Sequence, residues 1–426
     1  MKKNIKPNYR SGQAILLALV LFMSISLSVL FAIGNPAMRN MANSRGFDRS
    51  GEAFYVSEAV NNDALYRLKT GKNLPDVITL SSGGYQATAT TSASALGKDI
   101  ISKGESGEFA RTIFSSVVMG TGVSFHYGIQ SGKGGFVLDN SSSVQGNVYS
   151  NGEVEGSGDN EITGDLISAG PTGLIDGVYV TGSAYAHAIS NSTVQGNAYY
   201  SHISGTVVHG TSFPGSADQA TTTLPISDEQ VEEWKADALA GGEINSPCPY
   251  VISSNTTIGP KKINCNLSIN GTTVTLTGAL WVNGNITISN SSVIKVSPTL
   301  PGRSIPVIAD KPADNLNSGK INIANNTQFQ GAGAGSYVLL LSQNKSAENG
   351  GSQIAVTAQN SINGALLLYA GHGEIKLQNS ATMKEVTAYR IRLQNSARVV
   401  YESGLANLLF SSGPGGGFEL GRWKEE

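Results

Sequence analysis

The chain has 426 residues, a formal net charge of −2 at pH 7 and 14% charged side chains, against about 25% in ordinary globular proteins. Glycine supplies 51 residues, well above the usual ~7%, and low charge with abundant small polar residues is typical of extracellular β proteins. The length allows two or three domains, and the absence of a basic excess argues against nucleic-acid binding.

The N-terminus predicts a membrane anchor. A basic leader, residues 1–13, precedes residues 14–33, which contain no charge and are long enough to cross a ~30 Å hydrocarbon core as a helix. The basic residues of the leader are Lys2, Lys3, Lys6 and Arg10. They favour a cytoplasmic N-terminus with the bulk of the chain outside the cell, although Arg39, Arg45 and Arg49 follow the span. We predict a single-pass protein with membrane lipid as a partner.

Two other interpretations of the apolar segment remain open. It could be a cleaved secretory signal, with Ala32 and Gly34 at small-residue positions, although its apolar run exceeds the usual length of about 7–15 residues. It could also be the buried core helix of a soluble domain. The membrane helix is the interpretation that we develop.

Residues 34–71 predict an amphipathic extension of this helix. Pro36 should kink the helix or restart it at its first turn, and Gly71 should end it. Apolar residues recur near helical spacing at Ala53, Val56, Val60, Ala64 and Leu68.

Two stretches of this region resemble the N-terminus of PilX-type pilus assembly proteins. They are Gly12-Gln13-Ala14 and Ala53-Phe54-Tyr55-Val56-Ser57-Glu58-Ala59. The resemblance implies a pilin-like cell-surface protein, a minor component of a type IV pilus-like assembly, with pilin-like proteins and the assembly machinery as partners. It also implies a prepilin-peptidase cut between Gly12 and Gln13. The sequence departs from the major pilins at Gln13, where Phe is usual, and at Leu17, where they carry Glu.

Residues 72–124 predict a small β meander. Short β-patterned runs are separated by glycine and serine: VITL, YQATAT, KDIIS and FARTIFSSVVM. Three or four strands packed on the preceding helix would form a small α+β head.

Two repeated patterns predict a parallel β-helix, or β-solenoid, over residues 125–225 and 243–412. The first pattern places Asn and a small polar residue after an apolar residue, as in LQNSA at both Leu377 and Leu393. Looser copies begin at Leu138, Ile189, Ile288 and Ile323. The second places Gly two residues after an apolar residue, at Gly146, Gly164, Gly182, Gly196 and Gly205, with intervals of 18, 18, 14 and 9. Regular repeats of this length, each followed by a strand, are typical of solenoids.

Stacking explains these patterns physically. Coils that repeat at ~4.8 Å align equivalent residues in columns, so Asn can take left-handed backbone at the corners and bond to its copies. Alternate Val, Ile and Leu would fill the interior. About a dozen coils would give a stalk of ~60 Å.

An inserted helix is predicted at residues 226–242. Ser227 and Gln230 form a capping box, and Gly241 and Gly242 should end the helix. Val231, Trp234 and Ala238 share one face, which we expect to dock on the solenoid flank or over a coil end; binding of a partner is the alternative. Residues 413–426 are expected to form a cap or an exposed tail.

The two cysteines, Cys248 and Cys265, are predicted to pair if this part of the chain is extracellular. The chain-entropy model gives such a disulfide about 3 kcal/mol of stabilisation. Two buried free thiols are the alternative.

No catalytic residue, cofactor or metal is predicted. β-Helical glycosidases need two carboxyls about 5 Å or about 6.5–9.5 Å apart. The carboxylates of the first half mostly adjoin Gly or Asn at expected turns: Asp139, Asp159, Glu161, Asp165 and Asp176. A metal site formed by His187, His202 and His209 across neighbouring coils is conceivable, but exposed or stacked histidines are commoner.

We therefore expect a non-enzymatic, membrane-anchored surface protein of structural or adhesive type, which contacts other cells, surfaces or glycans. Two other classes remain open. A β-helical carbohydrate-active enzyme would show a carboxylate cluster in one groove. A bactofilin-like polymer would keep its solenoid in the cytoplasm, with both cysteines reduced.

Overall fold

The computed structural model describes residues 10–69, 74–82, 84–94, 97–123, 125–402, 405, 408–411 and 415–425. They divide into two compact units. The first comprises Met1–Tyr66, Leu74–Val117 and Leu420–Glu426, and the second comprises Arg67–Asn73 and Val118–Glu419. A long N-terminal apolar helix is followed by a mostly β chain with large parallel sheets.

The helix α1 extends from Arg10 to Lys69 without interruption. Pro36 lies inside it, so the expected restart of the helix is not seen. The predicted boundary between residues 33 and 34 corresponds to no change of secondary structure, although Gly34, Asn35 and Pro36 are poor helix formers. Gly71, expected to end the helix, and leader residues 1–9 lie outside the described residues.

The predicted meander is present in the first unit. Its strands are β1 (Val77–Ser82), β2 (Tyr85–Ser94), β3 (Gly97–Ser106) and β4 (Phe109–Val123). β2 pairs antiparallel with β1 and β3, and β4 pairs with β3. The predicted C-terminal tail is instead a strand, β41 (Gly415–Glu425), which pairs with β4. Arg111 Nη1 lies 3.3 Å from Glu425 Oε1, because the strand runs alongside β4 there.

The second unit is built from three stacks of parallel strands, in which a strand usually pairs with the third strand after it. We call them stacks A, B and C. In spatial order, stack A contains β21 (Glu243–Ile244), β24 (Lys261–Ile263), β27 (Leu280–Val282), β30 (Arg303–Ala309), β33 (Val338–Ser342), β36 (Leu366–Gln378), β38 (Glu385–Leu393), β5 (Ile129–Ser131), β8 (Val148–Ser150), β11 (Leu166–Ser168), β14 (Ala184–Tyr185), β17 (Ala198–Tyr200) and β20 (Ser212–Pro214).

Stacks B and C follow the same spatial order. Stack B contains β22 (Tyr250–Ile252), β25 (Leu267–Asn270), β28 (Ile286–Ser289), β31 (Ile321–Ile323), β34 (Ile354–Gln359), the C-terminal parts of β36 and β38, β6 (Phe136–Asp139), β9 (Val154–Ser157), β12 (Leu174–Asp176), β15 (Ala188–Ser190) and β18 (His202–Ser204). Stack C contains β23 (Thr256–Ile258), β26 (Thr273–Leu276), β29 (Val293–Val296), β32 (Gln328–Gln330) and β35 (Asn363–Gly364), then β37 (Thr382–Met383), β39 (Arg398–Val400), β7 (Ser143–Gln145), β10 (Glu161–Thr163), β13 (Tyr179–Val180), β16 (Thr193–Val194) and β19 (Val207–Val208). A 3₁₀ turn (Pro312–Asp314) follows β30, and β40 (Leu408–Phe410) pairs with β30 and β4.

The two halves of the unit stack in the reverse of their sequence order. The seven strands of stack A from residues 243–393 come first, and the six from residues 129–214 continue from them. At the junction Val386 pairs with Ile129, Ile391 with Phe136 and Val399 with Val144. In sequence order, the strands therefore begin in the middle of the stacks with β5 and reach one end at β20. They resume at the other end with β21 and return to the middle at β38.

A return segment, residues 215–227, makes this order possible. It runs along one side of the stacks, from the end that carries β20 towards the middle, and forms hydrogen bonds to residues of successive strands on the way. The bonds join the Ser216 amide to the Tyr200 carbonyl, the Gly170 amide to the Gln219 carbonyl, the Tyr149 hydroxyl to the Ala220 carbonyl, the Gln130 side-chain amide to the Thr223 carbonyl, and the Tyr369 hydroxyl to the Ile226 carbonyl. Main-chain and side-chain hydrogen bonds therefore hold this segment along the flank of both halves.

Helix α2 (Asp228–Ala240) completes the return, within the predicted range 226–242. Ser227 and Gln230 form the predicted capping box, and Val231, Trp234 and Ala238 are buried as predicted. They pack on outward-facing residues of stack A and on β40 in an outer core, where the Trp234 and Phe410 rings are 4.8 Å apart. The main core lies between the three stacks and consists largely of alternate Val, Ile, Leu and Ala.

The repeated LQNSA is explained by a ladder of asparagines. Each Nδ2 donates to the Oδ1 of the preceding member at 2.6–3.3 Å, along Asn270, Asn290, Asn325, Asn360, Asn379, Asn395 and Asn140. Asn379 and Asn395 have φ values of 55° and 53°, in the left-handed region that Asn tolerates. The last bond, from Asn140 to Asn395, crosses the junction between the two halves.

The ladder yields a prediction. We expect Asn379→Ala to lower the free energy of unfolding by about 2–3 kcal/mol, because it removes two amide hydrogen bonds and puts alanine, which tolerates positive φ less well than asparagine, at this position. Asn379→Gly keeps the backbone relaxed and should cost about half as much. Urea denaturation followed by circular dichroism measures both, and equal losses in the two variants would contradict the contribution of the backbone.

The glycines of the second repeated pattern form a column of equivalent positions, and the structure corrects the last interval, of 9 residues, between Gly196 and Gly205. Backbone bonds link Gly164, Gly182, Gly196 and Gly210 in succession. The residue that follows Gly196 in this column is therefore Gly210, 14 residues later. Gly205 lies instead beside Asn191, at the asparagine corner. Gly205 and Gly210 each lie two residues after an apolar residue, so the sequence pattern alone did not distinguish them.

Candidate functional site

The N-terminal part of α1 is an exposed apolar surface. Its most apolar stretch of 18 residues has a mean hydropathy of 2.7, and none of these residues is buried. Large apolar side chains from Ile15 to Ile33 are at least half exposed. Ser24 and Ser28 donate their hydroxyl hydrogen bonds to the carbonyls of Leu21 and Ser24, which satisfies these polar groups within the helix. This segment fits membrane anchoring by a single helix.

The residues of the implied processing site, Gly12 and Gln13, lie in the first turns of α1. The helix continues through them into the apolar segment. The leader ahead of Arg10 is outside the described residues, so a cut after Gly12 stays a prediction.

The C-terminal part of α1 is the core of the first unit. Ala53, Val60 and Ala64 are fully buried. Polar contacts bind the helix to β3 and β4: the Ser106 hydroxyl donates to Glu52 Oε2 at 2.8 Å, and Arg111 Nε donates to Ser50 Oγ at 2.8 Å. One helix therefore carries an exposed apolar half and a half packed on a sheet.

Three of the carboxylates considered as catalytic candidates bond to neighbouring positions of the stacks. Asp139 accepts a bond from the Ser157 hydroxyl at 2.5 Å, and Asp165 accepts one from the Ser183 amide at 2.8 Å. Asp176 accepts from Ser190 Oγ and Asn191 Nδ2, each at 2.7 Å. These contacts give all three carboxylates a role in joining neighbouring positions of the parallel stacks.

The other two, Asp159 and Glu161, line a polar groove of about 580 Å³ beside stack C. Tyr179 and Arg398 line the same groove, with serine and asparagine side chains from the corners. Tyr179 accepts a hydrogen bond from Gln195 Nε2 at 3.1 Å. The groove offers donors, acceptors and one aromatic ring to a polar ligand.

Two of the three candidate histidines, His187 and His202, lie next to each other. His187 bonds to Asp218 Oδ1 at 3.1 Å and its ring centroid lies 5.3 Å from that of His202, while His209 is exposed. His372 links Glu348 and Asp228 at 2.5 and 2.9 Å, which ties the N-terminus of α2 to β36. Burial lowers the pKa of His126. Among the described residues no group of three or more His, Cys, Asp and Glu could hold a metal ion.

Cys248 and Cys265 form a disulfide with their Cα atoms 5.8 Å apart. It closes the loop between β21 and β22 against the segment that follows β24. Among the described residues no cysteine is free.

Glu385 is a buried carboxyl that the sequence did not single out. It is fully buried and pairs with Leu367 in stack A, and Thr387 donates a hydrogen bond to its Oε1. Among the described residues its Oε2 has no hydrogen-bond partner, and burial raises the pKa of Glu385 well above its ordinary range. Alignment of EVTA (Glu385–Ala388) with LLYA (Leu367–Ala370) would have shown a charge in an apolar column.

This carboxyl predicts a pH-dependent stability. Because the pKa of Glu385 is raised in the folded state, the stability that this residue contributes is fully present below the unfolded pKa. That stability is lost as the pH rises through the folded pKa, by about 1.4 kcal/mol for each pH unit. Glu385→Gln should remove this loss and stabilise the protein at pH 7 while changing little at pH 4. Thermal unfolding against pH measures the effect.

Glu402 supplies a control of opposite sign. Although burial raises its pKa, bonds from Lys384 and Tyr337 outweigh this and lower the pKa of Glu402. Glu402→Gln should therefore reduce stability at pH 7 and change little in acid. A Glu385→Gln protein that is less stable than the natural one at pH 7 would contradict the raised pKa.

No protein-family model matches the chain, and no curated protein matches its sequence. Among solved structures the chain is similar to the competence-associated pilin ComZ from Thermus thermophilus, with 10% sequence identity over 89% of this chain and 98% of that chain. The TM-score is 0.29, at which a likeness carries no argument about fold or function.

Proposed function

We propose that this chain is a membrane-anchored, pilin-like cell-surface protein of structural or adhesive type. The observation that carries the proposal is the division of α1. An apolar half of membrane-spanning length is exposed, and the following half forms the core of a small β head. The function needs no cofactor and no catalysis.

A PilX-type role in a type IV pilus-like assembly is the finer form of the proposal. It is supported by the sequence resemblance at Gly12-Gln13-Ala14 and Ala53–Ala59. It is also supported by Met38, Met41 and Phe47, which are at least 66% exposed between the membrane segment and the head. Phe47 and Phe109 line a groove of about 510 Å³. Neighbouring pilin-like helices would cover these side chains.

The second unit, in this proposal, is a parallel β-helix. Successive strands visit stacks A, B and C in turn, and one core contains residues from all three. Thirteen described strands in stack A correspond to a length of about 60 Å at ~4.8 Å per step. An electron-microscopy map of the full chain in detergent would test this, and a two-sheet sandwich would refute it.

We place the N-terminus in the cytoplasm and the β-helix outside the cell. The disulfide supports this side, since disulfides persist in oxidising compartments, as does the basic leader. Intact cells treated with a membrane-impermeant maleimide should label Cys248 and Cys265 only after an impermeant reductant is added. Labelling that requires lysis would place the unit in the cytosol and overturn the proposal.

Processing is tested separately. Mass spectrometry of the mature protein should find an N-terminus at Gln13 if the prepilin-type cut occurs. An N-terminus near Gly34 would remove the anchor and contradict the proposal, and an uncut chain would retain the anchor but exclude pilin-type maturation.

Surface glycans are the class of external ligand that we propose. The polar groove lined by Tyr179 and Arg398 supports this, because it combines hydrogen-bonding groups with an aromatic ring. Tyr179→Ala should reduce binding to a glycan array, whereas Tyr250→Ala, at a distant strand of stack B, should not. Unchanged array binding in Tyr179→Ala would exclude the groove.

A further inference from the structure

The two ends of the stacks in the second unit differ. At one end lies a terminal coil, residues 201–214, which carries β18, β19 and β20. In the described part of the chain each of these strands pairs on one side only, with β15, β16 and β17. Their other edges present unpaired backbone groups.

The interior columns of the stacks come to the surface at the terminal coil. Ile203 is in register with Ile189, but Ile203 is 37% exposed and Ile189 only 1%. On the outer face of stack A the rings of Tyr185, Tyr199 and Phe213 stack in parallel with centroids 4.5 Å apart, and this outer column also stops at Phe213. The coil thus exposes side chains at positions that the next coil covers elsewhere.

The chain leaves this end without covering it. The Ser216 amide bonds to the Tyr200 carbonyl, and Asp218 bonds to His187. Both contacts direct the return segment down the flank. Val207 remains 55% exposed on β19.

The opposite end is closed. Its interior residues Ile252 and Ile258 are only 4% and 7% exposed. The loop beside them contains Pro247 and Pro249, which have no N–H to extend a sheet, and is held by the disulfide. The edge strand β21 carries the charge of Glu243, and charged edges resist strand pairing.

The terminal coil has less of this protection, since Pro214 at the end of β20 is its single proline. Between residues 201 and 217 the sequence contains no Lys, Arg, Asp or Glu. Two identical coils of this composition carry no fixed charges that repel each other. An uncharged edge with exposed Ile, Val and Phe is a surface suited to pairing.

We propose that the terminal coil is a self-association surface, which binds the same coil of a second copy end to end about a two-fold axis. A head-to-tail arrangement is disfavoured by the prolines and the charge at the closed end. Coil-on-coil packing between non-consecutive segments already occurs at the junction of β38 with β5 and β6. A two-fold contact uses one patch twice and ends at a dimer.

Lysine substitutions at the two ends test the proposal on the full chain in detergent micelles. Val207 and Val251 are matched, at 55% and 53% exposure. Val207→Lys would bring two ammonium groups together and should weaken the dimer at least about tenfold in sedimentation velocity. Val251→Lys, at the closed end, should leave it unchanged. A monomeric natural protein, or equal dimerisation of both variants, would overturn the proposal.

Cross-linking gives a second measurement that does not depend on the stability of the lysine variant. Val207→Cys should yield covalent dimers with a short bismaleimide. Leu316→Cys, 48% exposed in the loop after β30, should not. Dimers from both cysteines, or from neither, would refute contact through the terminal coil.

Discussion

Replacing Lys235 with methionine is expected to lower the free energy of unfolding of the second unit by about 3–5 kcal/mol. Lys235 Nζ lies 2.6 Å from Asp310 Oδ2 and 2.7 Å from Glu232 Oε1, and Lys235 and Asp310 are only 4% and 5% exposed. Although burial lowers the pKa of Lys235, its bonds to Asp310 and Glu232 outweigh this and raise it, so the ammonium stays charged. Methionine keeps the alkyl volume but leaves Asp310 buried without its cation.

Lys262 provides a matched control. The Nζ atoms of Lys262 and Lys235 lie 4.5 and 4.6 Å from the centroid of the same Trp281 ring. Unlike Asp310, however, the carboxylate partner of Lys262, Glu243, is solvent-accessible. Lys262→Met should therefore cost less than about 1 kcal/mol in the same guanidinium denaturation. The double variant Lys235→Met/Asp310→Leu should recover most of the loss, since an apolar pair can replace a buried ion pair. Equal losses from the two lysines would contradict the role of burial.

The asparagine corners could be predicted because their cause is local. A left-handed residue must be Gly or a tolerant side chain, so the repetition of LQNSA reports a backbone conformation directly, and Asn379 and Asn395 adopt it. Capping works in the same way at Ser227 and Gln230, where both partners lie within one turn.

The order of the strands in the stacks could not be predicted, because it depends on which strand edges meet in space. Any parallel strand offers the same backbone bonds to any other, so the repeats do not state that β38 packs on β5. The same limit hid the return segment, residues 215–227, whose bonds lie along the flank of the stacks. It also hid the pairing of Gly415–Glu425 with β4, since a Gly-rich stretch with charges at its end has no apolar alternation.

The buried charges were missed for a different reason. Lys235 lies one residue from Trp234 and four from Val231, so helical spacing placed it on the buried face. Its partner Asp310 is 75 residues away in sequence, and one sequence cannot reveal that contact. A lysine on a buried helical face is the signal that would have prompted a search for a distant carboxylate.

Replacing Gly104 with alanine should disrupt the first unit, where β3 approaches α1 most closely. A Cβ at Gly104 would lie 2.1 Å from the Ala53 carbonyl oxygen and 2.6 Å from the Ser57 amide nitrogen. Both are backbone atoms of a helix and cannot yield as a flexible side chain does. We expect a loss of about 3 kcal/mol, which makes amide exchange about a hundredfold faster in β3 and in the buried half of α1.

Gly51→Ala is the matched control for this experiment. Gly51 lies in the same helix near Ala53, and an added Cβ there meets nothing within 4 Å. The substitution should stabilise the helix by about 0.5–1 kcal/mol, since alanine loses less backbone entropy than glycine. Hydrogen exchange of the full chain in detergent reports both variants, with the amides of the second unit as an internal reference. Because the two units have separate cores, exchange there should stay unchanged in Gly104→Ala. Slow exchange in β3 of Gly104→Ala would mean that the sheet can withdraw from the helix without loss, and the helix would then not be the core of this unit.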